Sequence, residues 1–249
     1  MTFPVDIPLG PWRLHPHLVF ETLAYFVGFR LYLWQRRRRG DVIPGRTRWS
    51  VVAAAILGGA IGSRVLFLFE DPAETARHLH DVAFLLSGKT VVGGLVGGWI
   101  GVELTKWALG IVTATGDLFA LPLAVGIAIG RVGCFLSGLE DRTYGLATSL
   151  PWGVDFGDGV SRHPTQLYEM FCSIALAVVI MRAAKRPHVT GDLFKLFMVG
   201  YLGCRLLIDA IKPGVPLAGL TAIQWVCLAA IVWYAPHVRR WVAVGASHE

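Results

Sequence analysis

Long apolar stretches separated by shorter polar connections dominate the chain. Seven of them, residues 18–34, 49–69, 91–109, 117–136, 164–181, 192–211 and 219–234, reach or approach the roughly 20 apolar residues that a helix needs to cross a bilayer. The first and fifth are short, and the fourth contains Pro122 and Arg131. The pattern predicts an all-α, polytopic membrane protein of about seven transmembrane helices, forming a single domain over residues 1–249. No linker or internal repeat breaks it.

Basic residues predict the orientation, because cytoplasmic connections retain Lys and Arg. Arg36, Arg37, Arg38, Arg39, Arg46 and Arg48 follow the first span, Arg182, Lys185 and Arg186 the fifth, and Arg239 and Arg240 the last. Acidic residues gather in the alternate connections. The expected topology has the N-terminus outside and the C-terminus in the cytoplasm. Pro4, Asp6 and Pro8, with no basic n-region among the first ten residues, argue against a cleavable signal peptide.

Composition agrees with this pattern. Of 249 residues, 54% are hydrophobic and 16% charged, with a mean hydropathy of +0.56, whereas a soluble domain carries about 25% charged residues. Lipid contact replaces the missing polar surface. The net charge of +6 follows from the topological bias; the arginine run lacks the interleaved aromatics of a nucleic-acid site, so no such partner is expected. Cys134, Cys172, Cys204 and Cys227 all lie in apolar runs without CxxC or zinc spacing, which indicates neither a disulfide framework nor a metal centre.

Charged groups at membrane depth are costly unless paired or hydrated, and so mark function. Here they are Glu21, Arg64, Glu103, Arg131, Glu169, Arg205 and Asp209. The planar fork of arginine suits phosphate, and Arg64, Arg131 and Arg205 converging in a bundle would suit a phospholipid head group. A plainer alternative for Arg205 and Asp209, four residues apart, is mutual neutralisation on one helix face. The GGLVGG run beginning at Gly93 fits close packing of helices by small residues. His163 to Glu169, HPTQLYE, is the densest polar cluster, with Pro164 suited to a first helical turn. His163 at its mouth is either a proton carrier or a capping and network residue. The long connection 137–163 is a candidate functional loop.

These blocks resemble the bacterial prolipoprotein diacylglyceryl transferase family. The resemblance rests, in order, on IGSRVLF around Arg64, GGLVGG, GDLFALPLAVGIAIGRVGCF, RHPTQLYE from Arg162 to Glu169, GYLGCRLLID around Tyr201 and Arg205, and LTAIQ at Leu220 to Gln224. It implies a seven-helix enzyme of the bacterial inner membrane, with its active site open to the periplasmic side. Such an enzyme moves a diacylglyceryl group from phosphatidylglycerol to the lipobox cysteine of a prolipoprotein and releases glycerol phosphate. Arg131 and Arg205 match family positions that hold the lipid phosphate, Tyr201 matches a functional tyrosine, and His163 joins them as a catalytic candidate. Arg64, Cys134, Glu140, Gly145, Arg162, Gln166, Glu169 and Asp209 are the expected substrate-binding residues. No metal or organic cofactor is implied; the partners are phosphatidylglycerol, a lipobox segment and membrane lipids.

The chain departs from the family pattern in three places. Val92 stands where a proposed acid/base histidine precedes the first GG, Cys134 replaces the asparagine of GRxGNF, and Asp209 replaces a glutamate. Valine transfers no proton, so His163 or Glu140 would have to substitute, or the acceptor differs. The other readings are a related enzyme with a different acceptor and a non-catalytic lipid-binding or transport protein.

Overall fold

A computed structural model describes residues 3–40 and 45–246. The side chains of Arg46, Arg239 and Arg240, which entered the orientation argument, lie outside what is described. The structure is mostly helical, and every one of the seven apolar stretches lies largely within a long helix. Among the described residues, three helices are both long and apolar enough to cross a membrane: Thr47–Glu70, Asp117–Ser137 and Thr165–Ala183. The chain divides into two compact units, one of residues 1–40 and 116–213, the other of 41–115 and 214–249.

The first unit contains α1 (Pro16–Arg39), α6 (Asp117–Ser137), α7 (Thr165–Ala183) and α8 (Asp192–Asp209), preceded by a hairpin of β1 (Ile7–Leu9) and β2 (Trp12–Leu14). Pro16 opens α1, four arginines complement the negative end of its dipole, and Gly40, at φ 79°, ends it. Helix α6 continues through Pro122. Proline lacks the N–H that would bond the Leu118 carbonyl one turn earlier. Buried Gln35 of α1 supplies it, donating from Nε2 to that carbonyl at 3.3 Å. Gln35→Leu strands the carbonyl and should cost about 1–3 kcal/mol, read by thermal unfolding in detergent. In a Pro122→Ala background, where the backbone can close its own bond, the cost should shrink.

Asp117 ties the start of α6 to the start of α8. Its carboxylate accepts from the Gly191 N–H at 2.6 Å and the Phe194 N–H at 3.1 Å, capping α8 across 74 residues of sequence. Between α6 and α7, β3 (Val154–Asp155) and β4 (Ser161–Arg162) pair antiparallel within the long loop. Phe156 there is 2% exposed and packs edge-on against Phe3 and Phe135.

The second unit contains α2 (Gly45–Glu70), the short α3 (Pro72–Arg77) and α4 (Val82–Ser87), α5 (Val91–Ala108) and α9 (Ala222–Ala246). Helices α2 and α5 meet backbone to backbone: a Cβ on Gly97 would strike the Gly58 carbonyl, and one on Gly93 the Gly62 carbonyl. The small-residue run therefore serves packing, as its composition suggests. Ser63 ties α2 to the start of α5, its Oγ donating to the Thr90 carbonyl at 2.9 Å.

Candidate active site

Helical spacing builds a buried polar face in the first unit. On α7, Gln166, Glu169 and Ser173 are all within 2% of full burial, one turn apart. On α8, Tyr201, Arg205 and Asp209 repeat every four residues and are buried, as is Arg131 on α6. Glu169 receives both arginines. Arg131 Nη2 lies 2.6 Å from its Oε2, and Arg205 Nη1 donates to its Oε1. Arg205 Nη2 reaches Asp209 Oδ1 at 3.0 Å, and the Tyr201 hydroxyl donates to Glu169 Oε2 at 3.4 Å. The same-helix neutralisation of Arg205 by Asp209 is thus present, but as one arm of a larger network.

Lys212, absent from the residues singled out in the sequence, completes that network. Its Nζ is 3.8 Å from Glu169 Oε1, with the side chain 9% exposed. It follows α8 in the polar segment IKPG, where a lysine reads as a solvated end; nothing in the sequence pattern turns it inward. Burial, followed by the positive charge of Arg205, pulls its ammonium down to about 8. Three cations surround two carboxylates, so the cluster is positive by one charge while Lys212 is protonated. Two donors, Arg205 Nε and Gln166 Nε2, and one acceptor, Gln166 Oε1, are buried without a hydrogen-bond partner among the described residues.

The other candidates are distributed around this centre. Cys134 Sγ accepts from Arg131 Nη1 at 3.8 Å. Gly145 packs where a Cβ would strike His163 and Thr165, and its N–H donates to the His163 carbonyl at 2.9 Å. His163 itself is half-buried, with Nδ1 3.3 Å from the Tyr168 hydroxyl. Arg162 is engaged inside the loop, bidentate to Asp158 at 2.6 and 2.7 Å and stacked on Tyr144. Glu140 is exposed and pairs with His15 at 3.0 Å. Arg64 belongs to the second unit, where it donates to the Leu86 carbonyl at 3.4 Å. Val92 is also in that unit, 1% exposed in its core.

A second polar group adjoins Arg131. His17 at the start of α1 places Nδ1 2.9 Å from Asp141 Oδ1, and Nε2 3.4 Å from Glu21 Oε2. Burial opposes ionisation of Asp141, but His17 outweighs it and holds the carboxyl at about 2.

A buried paired-arginine cluster among long apolar helices marks a membrane protein with a polar centre. The profile of the prolipoprotein diacylglyceryl transferase family matches residues 4–237, and the chain belongs to that family. It is 30% identical to the phosphatidylglycerol–prolipoprotein diacylglyceryl transferase of Methylobacillus flagellatus, over 92% of each chain. The transferase of the same name from Bordetella bronchiseptica is also 30% identical, covering 92% of this chain and 91% of the relative. That from Nitratidesulfovibrio vulgaris is 32% identical, over 92% and 88%.

Proposed function

We propose that this protein transfers a diacylglyceryl group from phosphatidylglycerol to the lipobox cysteine thiol of a prolipoprotein, releasing glycerol phosphate. The observation that carries the reading is the gathering of Arg131, Arg205 and Lys212 on Glu169, with unused donors beside it. A lipid phosphate entering here meets a net positive, water-poor site, where preorganised donors stabilise the charge that grows on the departing oxygen. Tyr201 orients Glu169, and Gln166 offers its amide to the glycerol head. The reading has the chain acting as one domain in the bacterial inner membrane. Seven helices span it, the N-terminus lies outside, and the site opens to the periplasmic side. Family membership across both units and the alternation of basic connections support it.

Reconstitution with labelled phosphatidylglycerol and a lipobox peptide should yield thioether-linked diacylglyceryl peptide. Consumption of the lipid without peptide modification would favour a different acceptor, a second reading motivated by Val92, which offers no proton carrier at that position.

The pH dependence follows from Lys212. Anion binding favours the charged ammonium, and above about 8 the free protein has lost that charge while the arginines keep theirs. Phosphatidylglycerol binding should therefore weaken as pH rises through about 8, with the diester phosphate itself not titrating. Lys212→Met should remove the step, and Lys212→Arg should move it out of range, both measurable by lipid-binding titrations at several pH values.

A further inference from the structure

We propose that His17, Cys134 and Asp141 form a binding site for a thiophilic divalent cation, for which Zn2+ is the fitting ion, and that its open position receives the acceptor thiol. The second half rests on the transferase reading; the first does not.

The three donors come from α1, the last turns of α6 and the loop behind it, 124 residues apart in sequence at their widest. That is why cysteine spacing alone gave no metal pattern. In the fold, His17 Nδ1, Cys134 Sγ and an Asp141 carboxylate oxygen lie within 4.8 Å of one another. Zinc bonds of about 2.0–2.3 Å in tetrahedral geometry bring such donors to about 3.3–3.6 Å, an adjustment within reach of side-chain rotation. Nδ1 is buried and, although 2.9 Å from Asp141 Oδ1, makes no aligned hydrogen bond. A cation would take the place of the proton in this ion pair and bridge the same two atoms.

The surroundings fit a metal-bound histidine and carboxylate. A ligating histidine generally gives its other ring nitrogen to a carboxylate, and Nε2 faces Glu21 Oε2 at 3.4 Å, with Glu21 held in turn by the Tyr25 hydroxyl at 3.0 Å. The second oxygen of Asp141 accepts from Thr143 Oγ1 at 3.2 Å. Arg131 Nη1 lies 3.8 Å from Cys134 Sγ, which puts a fixed positive charge beside the sulfur. One Cys, one His and one Asp leave a fourth position open, the arrangement of catalytic rather than structural zinc.

An open position beside the phosphate cluster supplies what Val92 does not. A thiol bound to such an ion is deprotonated outright, its proton passing to solvent. The sulfur pair then forms the C–S bond to the glyceryl carbon as the C–O bond breaks. The C–O electron pair leaves on the phosphate oxygen, facing Arg131, as glycerol phosphate. No oxidant, reductant or separate protein base is required.

The test uses the full chain in detergent, stripped with chelator and titrated with Co2+ and then Zn2+. One equivalent of Co2+ should bind with a thiolate-to-cobalt charge-transfer band, be displaced by Zn2+, and lose that band in Cys134→Ser and Cys134→Asn. Absence of the band, or its persistence in a folded Cys134 variant, overturns the site. X-ray absorption of the Zn2+-loaded unsubstituted protein needs no variant to fold: one sulfur at about 2.3 Å with nitrogen and oxygen neighbours supports the site. A shell with no sulfur or several overturns it. Thioether formation at pH 7 should fall about thirtyfold on stripping, the gain in thiolate over a free cysteine of pKa about 8.5, and return with Zn2+ while lipid binding is unchanged. Equal rates with and without metal overturn the thiol-binding role. A metal site confirmed by absorption with no transfer in any metal state overturns the transferase reading and leaves the site standing.

Discussion

Glu169→Ala is expected to destabilise the protein by about 3–5 kcal/mol, the cost of leaving buried charge without its partner. One carboxylate answers Arg131, Arg205 and Lys212 together. Its removal leaves Arg131 with the Tyr201 hydroxyl and the Cys134 sulfur, and Arg205 with Asp209, so neither guanidinium keeps the carboxylate that joined them. Glu169→Gln keeps the shape and one acceptor oxygen but not the charge, so it should fall between the two. Thermal unfolding in detergent, with the helical signal followed by circular dichroism, checks the order. If Glu169→Ala melts within a degree or two of the unsubstituted protein, the cluster is not the keystone of the first unit.

The second large effect is on turnover. Arg131→Ala should lower diacylglyceryl transfer by about 10²–10³-fold, the range for losing one preorganised donor to a developing oxyanion. This substitution separates catalysis from folding better than Arg205→Ala, because Glu169 keeps Arg205 and Lys212 when Arg131 is gone, whereas losing Arg205 also strips Asp209 of its 3.0 Å partner. Arg131→Lys retains charge but not the fork, so partial recovery is expected. Initial rates with labelled phosphatidylglycerol, alongside an unchanged melting curve, decide it; a folded Arg131→Ala protein with normal turnover sinks the phosphate role.

Much of this was readable from the chain because helices convert spacing into faces. The apolar stretches became helices, the glycine run became the contact between α2 and α5, and Arg131, Tyr201, Arg205, Glu169 and Asp209 came together. Partner choice was less accessible. Arg64 looks like Arg131 in sequence, an arginine among small residues, yet it belongs to the other unit and bonds a loop carbonyl. Arg162 is bound by Asp158, four residues before it, a contact that only the loop's hairpin geometry creates. Lys212 and His17 are inconspicuous in the sequence because each sits at a helix end, where polarity is ordinary; what gives them meaning is a counter-group on another element. Residue spacing encodes which side of a helix a group occupies, but not which neighbour meets that side.

The loop between α6 and α7 carries a consequence for biogenesis. Gly145 fits only against His163, Thr165 and the Ile211 carbonyl, and the next residue, Leu146, donates to that carbonyl at 2.8 Å. Its anchor is made 65 residues later in the chain. During synthesis, then, the loop cannot settle as it emerges; it must wait for α7 and α8 to be threaded and seated, since distant contacts form only after the intervening chain is closed. A ribosome-bound chain halted before Ile211 should leave this loop open to protease, and the site would be assembled among the last features of the first unit.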